Sequence, residues 1–551
     1  NFRLYNCTSM HMSRVEAFGE YFYVLLTGAG VGISVQERHV NMLPMVEPTG
    51  EEEKIHVIED SIEGWATALD VLLSSRFVGG GKHPEYKGKK VVFDFSKIRP
   101  LGAPITGGFK APGPDPLRKA LNKIELILET VTERVQLKPI QVYDICMHAA
   151  DAVLSGGVRR AATIALFSPD DEDMVNAKTG DWFVENPQRA RSNNSMVIVR
   201  NKAKRSDFEN TIEKIKQFGE PGFVFVEDED HTFNPCVEIG KYPIWVDEDG
   251  NKHSGIQACN LTEINGAECS DEESFYKACE AAAILGTLQA GYTDFRFVSD
   301  ATRKICEKEA LLGVSITGWM NSPDILFNDE ILKKGVDIIR ETNIRVAELI
   351  GINPAARLTC TKPSGSASVI LKTASGIHGE HAPRYIRNMQ INKNTPVAEI
   401  FERENPDMIE ESVWSANQSD YVISFPIVSP QTSIYKKELY GKRLLEKVAF
   451  AQQHWVEYGT NVERCASEGL KHNVSNTVQV PDDEWDTVAD YIYENKDKFS
   501  GISFISLSGD KDYHQAPFVE VLTYDEIMDL VLSDSSKSGS SAILLLIMLY
   551  S

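Results

Sequence analysis

The sequence contains no CxxC pair, no Cys/His cluster at zinc-ligand spacing and no long apolar run. Nine cysteines in 551 residues are too sparse and irregular for a disulfide scaffold, and their number is odd. A structural zinc site is excluded with them, and no metal ligand set is predicted. Basic residues are scarce: 57 Lys and Arg stand against 80 Asp and Glu, a formal net charge of −23. That balance excludes a broad nucleic-acid or anionic-membrane surface, since both need a basic face. A locally basic pocket for a small anion stays compatible with it. The closing run "AILLLIMLY" falls well short of the ~20 residues a membrane-spanning helix needs. No secretory signal is read, so the Asn6, Asn193, Asn260 and Asn473 sequons carry little weight, and a cytoplasmic protein is expected. Asn1 in place of an initiator Met, together with the odd closing segment, predicts a piece of a longer chain.

Two familiar phosphate fingerprints are also missing. "LLTGAGVGISV" (25–35) carries Gly28, Gly30 and Gly32, but Ile33 stands where a dinucleotide fingerprint needs its third glycine. The glycines predict either a tight chain crossing or a ligand-facing backbone. "TCTKPSGSASVIL" (359–371) lacks P-loop spacing, yet its small hydroxyl residues and Gly365 predict exposed N–H groups that suit a phosphate if a helix starts there.

What is present is a globular composition, 42% hydrophobic and 25% charged, with a sizeable core. "KVVFDFSKI" (90–98) predicts a buried strand; 196–200, 222–226 and 422–428 predict others. Apolar residues at three- and four-residue steps predict helices over 115–135, 271–290, 329–350 and 441–458. Strands alternating with helices predict an α/β fold, a barrel or a large sheet, with no internal domain boundary. "IRPLGAPITGG" (98–108) reads as a recognition loop or a plain connection, and Arg159 and Arg160 as an anion-binding or structural pair.

The most chemically loaded stretch is "HTFNPCVEIG" (231–240). On a flat strand Asn234 and Glu238 would stand ~13 Å apart. Pro235 favours a bent loop that gathers an amide, a thiol and a carboxylate around one small molecule. A buried structural cysteine is the competing reading. Cys7 and Cys259 add two further thiols, as a thiol-driven reduction would need.

N-x-C-x-E followed by "ACNL", with "GAGVG", "SGGVRRAAT" and "TKPSGS", stand in the order found in ribonucleotide reductases. The chain resembles above all the adenosylcobalamin-dependent (class II) enzymes of the monomeric ribonucleoside-triphosphate reductase type, from about residue 4 to 518. The resemblance implies a ten-stranded α/β barrel of two antiparallel five-stranded halves, with a central finger loop carrying the radical cysteine. It implies a catalytic barrel over 1–518 and a short, partly disordered tail over 519–551.

By the same resemblance Cys236 forms the thiyl radical, Glu238 is the general base, Asn234 holds the ribose, and Cys7 with Cys259 supplies the electrons. Asn6, Pro363, Ser364, Gly365 and Ser366 are implied as substrate contacts, and Arg99, Leu101, Gly102 and Ala103 as the effector loop. Adenosylcobalamin is the implied cofactor. The implied partners are a ribonucleotide, a deoxynucleotide or ATP effector, and thioredoxin or a similar dithiol, with the chain a monomer or weak dimer. The family's second cysteine pair, in a C-terminal tail, is not matched here, and neither is the region before the first barrel strand. Three alternatives follow: a truncated or inactive nucleotide-binding fragment, a diphosphate-reducing member, or another class of reductase. The last needs a Tyr-Tyr pair or a glycyl-radical motif, and neither is found. A Cys/His hydrolase built on His231 would need something to orient that ring.

Overall fold

The computed structural model describes residues 2–105, 110–153, 162–393, 395–413, 415, 418–507 and 515–523. Arg159 and Arg160 lie outside them, as do 508–514 and 524–551 of the matched and closing segments.

Five parallel strands run in sequence order: β1 (Cys7–His11), β2 (Gly30–Ser34), β3 (Thr163–Phe167), β4 (Ser192–Val199) and β5 (Gly222–Val226). Every residue of β1, β2, β3 and β5 is buried, as expected where helices cover both faces of a parallel sheet. At one edge β6 (Ile256–Cys259) pairs antiparallel with β1. A second, parallel sheet holds β7 (Thr262–Asn265), β8 (Val314–Thr317) and β9 (Thr359–Cys360). β10 (Thr477–Val480) pairs in parallel with β11 (Gly501–Ser506), which returns antiparallel to β5 at the other edge. The fold is therefore α/β with a large mixed sheet. The expected ten-stranded barrel is met only in part, because no closed sheet forms among the described residues. Regular pairing stops between β6 and β7, and only one bridge, Thr361 to Val474, spans the gap from β9 to β10.

Local sequence explains the helices. α1 (Glu16–Thr27) stops at Gly28, whose φ of 94° is a left-handed position open to glycine. The predicted 115–135 helix runs as α2 (Asp115–Glu129). α3 (Glu272–Ala290) begins where the Asp271 carboxylate accepts from the Ser274 N–H in a capping box. α4 (Asp300–Glu309) follows, and α5 (Asp329–Ile350) is capped by Asn328 and ended by Gly351. The predicted 441–458 helix is α6 (Lys442–Ala451), continued by a wider π turn over Gln452–Glu457. One hydrophobic cluster extends from Phe2 to Phe504. No helix among the described residues is long and apolar enough to cross a membrane.

The 90–98 segment departs from expectation. It is a strand only over Lys90–Asp94, in a two-stranded ribbon with Glu53–Val57, and Val91 is its one buried residue. Val91 joins a small cluster with Val71 and Tyr86, against which the half-buried Phe93 packs, while Lys90 and Val92 face outward. Apolar density there reflected a local ribbon and not the main sheet.

The glycines of β2 prove to be a chain crossing. A Cβ on Gly32 would lie 1.8 Å from the Phe233 carbonyl oxygen, and one on Gly30 would lie 2.9 Å from Pro235 Cγ. Both positions make room for the 232–236 backbone against the sheet. Gly32→Ala is accordingly expected to lower stability by about 1–3 kcal/mol, the usual range for overpacking. Urea unfolding measures it, and an unchanged midpoint would show that the hairpin yields freely.

Candidate active site

The chain leaving β5 folds back on itself before β6. Thr232–Phe233 pairs antiparallel with Gly240–Lys241, so 234–239 forms the tip of a short hairpin. Proline at 235 and a turn bonded from the Val237 N–H to the Asn234 carbonyl (2.9 Å) bend the tip. Val237 holds a φ of 63°, a left-handed conformation rare for a β-branched residue. The Asn234 side chain stiffens the bend by accepting from the Ile239 N–H at 2.8 Å. Neighbouring chain fixes the tip from outside. Ser475 Oγ donates to the Cys236 carbonyl (2.6 Å), and the Asn473 N–H donates to the Glu238 carbonyl (2.9 Å).

The bent loop predicted around Pro235 is thus present. Cys236 is the one exposed cysteine of the nine; Glu238 and Asn234 are 2% and 1% exposed. Exposed surface and protein crowding coexist at Cys236. Its sulfur meets solvent, yet the surrounding atoms desolvate it enough to push the thiol well up, helped by the Glu238 charge. The thiol is therefore the resting form, and an ionic thiolate nucleophile is disfavoured. Desolvation also raises Glu238, with the Asn234 hydrogen bond opposing it, and Glu238 Oε2 is buried without a hydrogen-bond partner. A carboxyl held this way is poised to take or give a proton.

Cys7 and Cys259 are direct register partners across β1 and β6, with sulfurs 3.0 Å apart and no disulfide between them. They share one buried cluster with Ile239 from the hairpin and with Cys360. Desolvation and then the Cys259 hydrogen bond drive Cys7 up. At Cys259 burial also pushes upward, but the Cys7 bond and the Lys241 charge more than offset it and leave that thiol low.

The 359–371 segment, expected to suit a phosphate, differs from that expectation in its means. Its helix, Ala367–Leu371, is only five residues long, so a helix dipole contributes little. Ser364 has a φ of 55° and a buried Oγ without a partner, while a Cβ on Gly365 would meet nothing within 4 Å. Arg387 braces this loop, donating to the Gly365 carbonyl (2.6 Å) and Ser368 Oγ (3.2 Å). Sequence reading missed Arg387, which sits alone in a strand with no motif around it.

Arg99 pairs with Asp60 at 2.7 Å beside a cavity of about 520 Å³ that is also lined by Arg3, Trp65 and Gly113. Gly102 and Ala103 pair with Ala111 through backbone bonds, and Leu101 is exposed. Asn6 is exposed, with its carbonyl accepting from the Gly30 N–H. His231 is held by Ser467 Oγ at 2.8 Å.

An exposed thiol on a braced hairpin, a buried carboxyl one residue beyond its neighbour and a dithiol beside them are the groups that thiol-redox chemistry uses. The fold matches the crystal structure of a B12-dependent (class II) ribonucleotide reductase with a TM-score of 0.72, over 97% of this chain and 78% of that one at 19% identity. Sequence agrees. Adenosylcobalamin-dependent ribonucleoside-triphosphate reductases from Lactobacillus acidophilus and Euglena gracilis are 24% and 23% identical, over 94% and 98% of this chain and 76% and 72% of theirs. No family model matches the chain. In sequence and fold the chain is thus similar to the adenosylcobalamin-dependent ribonucleoside-triphosphate reductases.

Proposed function

We propose that the chain reduces ribonucleotides, with ribonucleoside triphosphates as substrate, to 2′-deoxyribonucleotides by a thiyl-radical route. The observation that carries this reading is the meeting of Cys236, Glu238 and the reduced Cys7–Cys259 pair around one hairpin. We read β6 and β7 as one kinked strand and the Thr361–Val474 bridge as a seam. The chain then forms a ten-stranded barrel of two five-stranded halves with the hairpin as its finger, within one catalytic unit over 1–518.

Adenosylcobalamin, when bound, supplies the radical that is passed to Cys236. The cofactor's nucleoside fits a second cavity, of about 360 Å³. Thr477 in its wall lies two residues from Ser475, the residue bonded to Cys236. The wall also offers aromatic faces at Tyr385, Tyr440 and Phe518, and the buried, unpartnered Oε1 of Gln479. Those residues would hold the cofactor.

The remaining steps belong to the chain's own groups. Cys236 takes the 3′-hydrogen atom and later returns it. Glu238, oriented by Asn234, takes the 3′-hydroxyl proton. The pair of Cys7 and Cys259 gives two electrons and ends as a disulfide, while the 2′-hydroxyl leaves as water. Glu238, Cys7 and Cys259 are buried, away from bulk solvent. Ser364, Gly365 and Ser366 bind phosphate on a turn set by Pro363, and Asn6 contacts the substrate. The 98–105 loop, with Arg99, Leu101, Gly102 and Ala103, reads a deoxynucleotide or ATP effector in the larger cavity. A thioredoxin-like dithiol restores the pair, in a cytoplasmic monomer or weak dimer.

The test is deoxynucleotide formation, followed by chromatography, from each of the four ribonucleoside triphosphates with adenosylcobalamin and a small dithiol. No product from any of them, with or without effectors, overturns the reading. In this assay Glu238→Gln is expected to reduce turnover about 10²–10⁴-fold, the scale of a general base. Because burial raises the Glu238 carboxyl, the wild-type rate falls on the acid side at a pH above the ordinary carboxylate range. The sign for stability is opposite to that of a salt-bridged acid. The contribution is full below the unfolded pKa and is lost as pH rises through the folded one, so Glu238→Gln is expected to be no less stable at neutral pH.

A further inference from the structure

Lys241 ends the hairpin and is fully buried. Its Nζ donates to the Cys7 carbonyl at 3.2 Å and lies 4.0 Å from Cys7 Sγ. Its charge also lowers the Cys259 thiol. Among the described residues no carboxylate comes within 4.0 Å of it. A buried ammonium without an anion is expensive, so the geometry asks which neighbour carries the negative charge.

The groups facing it are few. Glu238 comes from the hairpin itself, Cys306 from α4, His472 from the chain before β10, and Cys7 and Cys259 from β1 and β6. Desolvation favours the neutral form of Glu238, Cys306 and His472. The dithiol is the remaining place for a charge, and its sulfurs already lie within hydrogen-bonding reach of each other.

We propose that Lys241 sets the redox balance of the Cys7–Cys259 pair, its buried ammonium holding the reduced pair as one thiol and one thiolate. When the pair is oxidised, one sulfur–sulfur bond forms, two electrons leave and only one proton leaves with them. Reduction returns two electrons and one proton. Stabilising the reduced form makes the disulfide easier to reduce, which suits a pair that must be reset after every turnover. The inference rests on the reading of Cys7 and Cys259 as the reducing pair.

The experiment equilibrates the full chain with mixtures of reduced and oxidised dithiothreitol from pH 6 to 8. The Cys7–Cys259 disulfide is quantified by differential alkylation and peptide mass spectrometry. Each exchange breaks one disulfide and forms another. With wild type, the reduced form is expected to gain about tenfold per pH unit, because one proton is released. Lys241→Met is expected to lose that slope and to shift toward disulfide by tenfold or more at pH 8, about 30 mV for two electrons. Lys241→Arg is expected to keep most of the slope. A purely structural lysine would leave the slope unchanged in all three. A flat wild-type profile, or equal slopes in wild type and folded Lys241→Met, overturns the proposal. If Lys241→Met does not fold, the wild-type slope decides alone. Deoxynucleotide formation with a flat profile sinks this inference only; a one-proton slope without product sinks the functional reading and leaves Lys241 standing.

Discussion

Cys236→Ser is expected to abolish deoxynucleotide formation, by on the order of 10⁴-fold or more, the scale seen when a covalently acting group is removed. The side chain is exposed, and the backbone bonds that shape the tip run through Asn234, Val237, Ser475 and Asn473, none of them through the sulfur. The substitution therefore removes the chemistry while leaving the hairpin built. Serine is close in shape, but its O–H bond is too strong to give up a hydrogen atom and form the radical that the thiol forms. Unfolding midpoint and nucleotide binding should match wild type. Turnover within tenfold of wild type would remove Cys236 from the mechanism. A collapse in stability would show that the thiol serves packing instead.

The largest stability effect is expected at Arg357. It is fully buried, with Nη1 and Nη2 at 3.0 and 2.8 Å from the two oxygens of Glu309. Nη2 also donates to the Gly240 carbonyl at 3.2 Å, at the foot of the hairpin. Glu309 in turn accepts from Gln257 at 2.5 Å and from the Ala466 N–H at 2.7 Å. Burial alone would raise Glu309; the Arg357 charge and bonds offset it and hold the carboxyl low. Arg357→Met leaves that carboxylate buried and uncompensated, and a loss of about 3–5 kcal/mol is expected from chemical unfolding. The double variant Arg357→Met with Glu309→Gln should recover much of it, because the unpaired charge is gone. A double variant as unstable as the single would place the cost in lost packing.

The pattern of what was legible follows from sequence distance. The hairpin could be read because Asn234, Pro235, Cys236 and Glu238 are packed into five residues, where spacing alone restricts geometry. Strands such as Gly222–Val226 announced themselves as unbroken apolar runs. Arg387, Lys241 and the Arg357–Glu309 pair left no such trace. Each is a single charged side chain in ordinary surroundings, and its meaning comes from partners far along the chain: Arg357 and Glu309 are 48 residues apart, and Lys241 and Cys7 are 234 apart. The absence of a closed sheet among the described residues was illegible for a related reason, since regular pairing stops at the ends of β6 and β9, where short strands give way to loops. The 90–98 strand misled because apolar residues in a ribbon and in a central sheet look alike one at a time.

Cys7 and Cys259 are 252 residues apart in the chain but face each other across adjacent strands. When they are joined, the segment between them becomes a closed ring that holds β1 through β5 and the hairpin. In the reduced protein that ring is open, and its two ends are tied by hydrogen bonds between the strands and between the thiols. On the proposed chemistry the same chain is topologically linear before a turnover and cyclic after it, and each visit of a reductant would cut the ring at one bond.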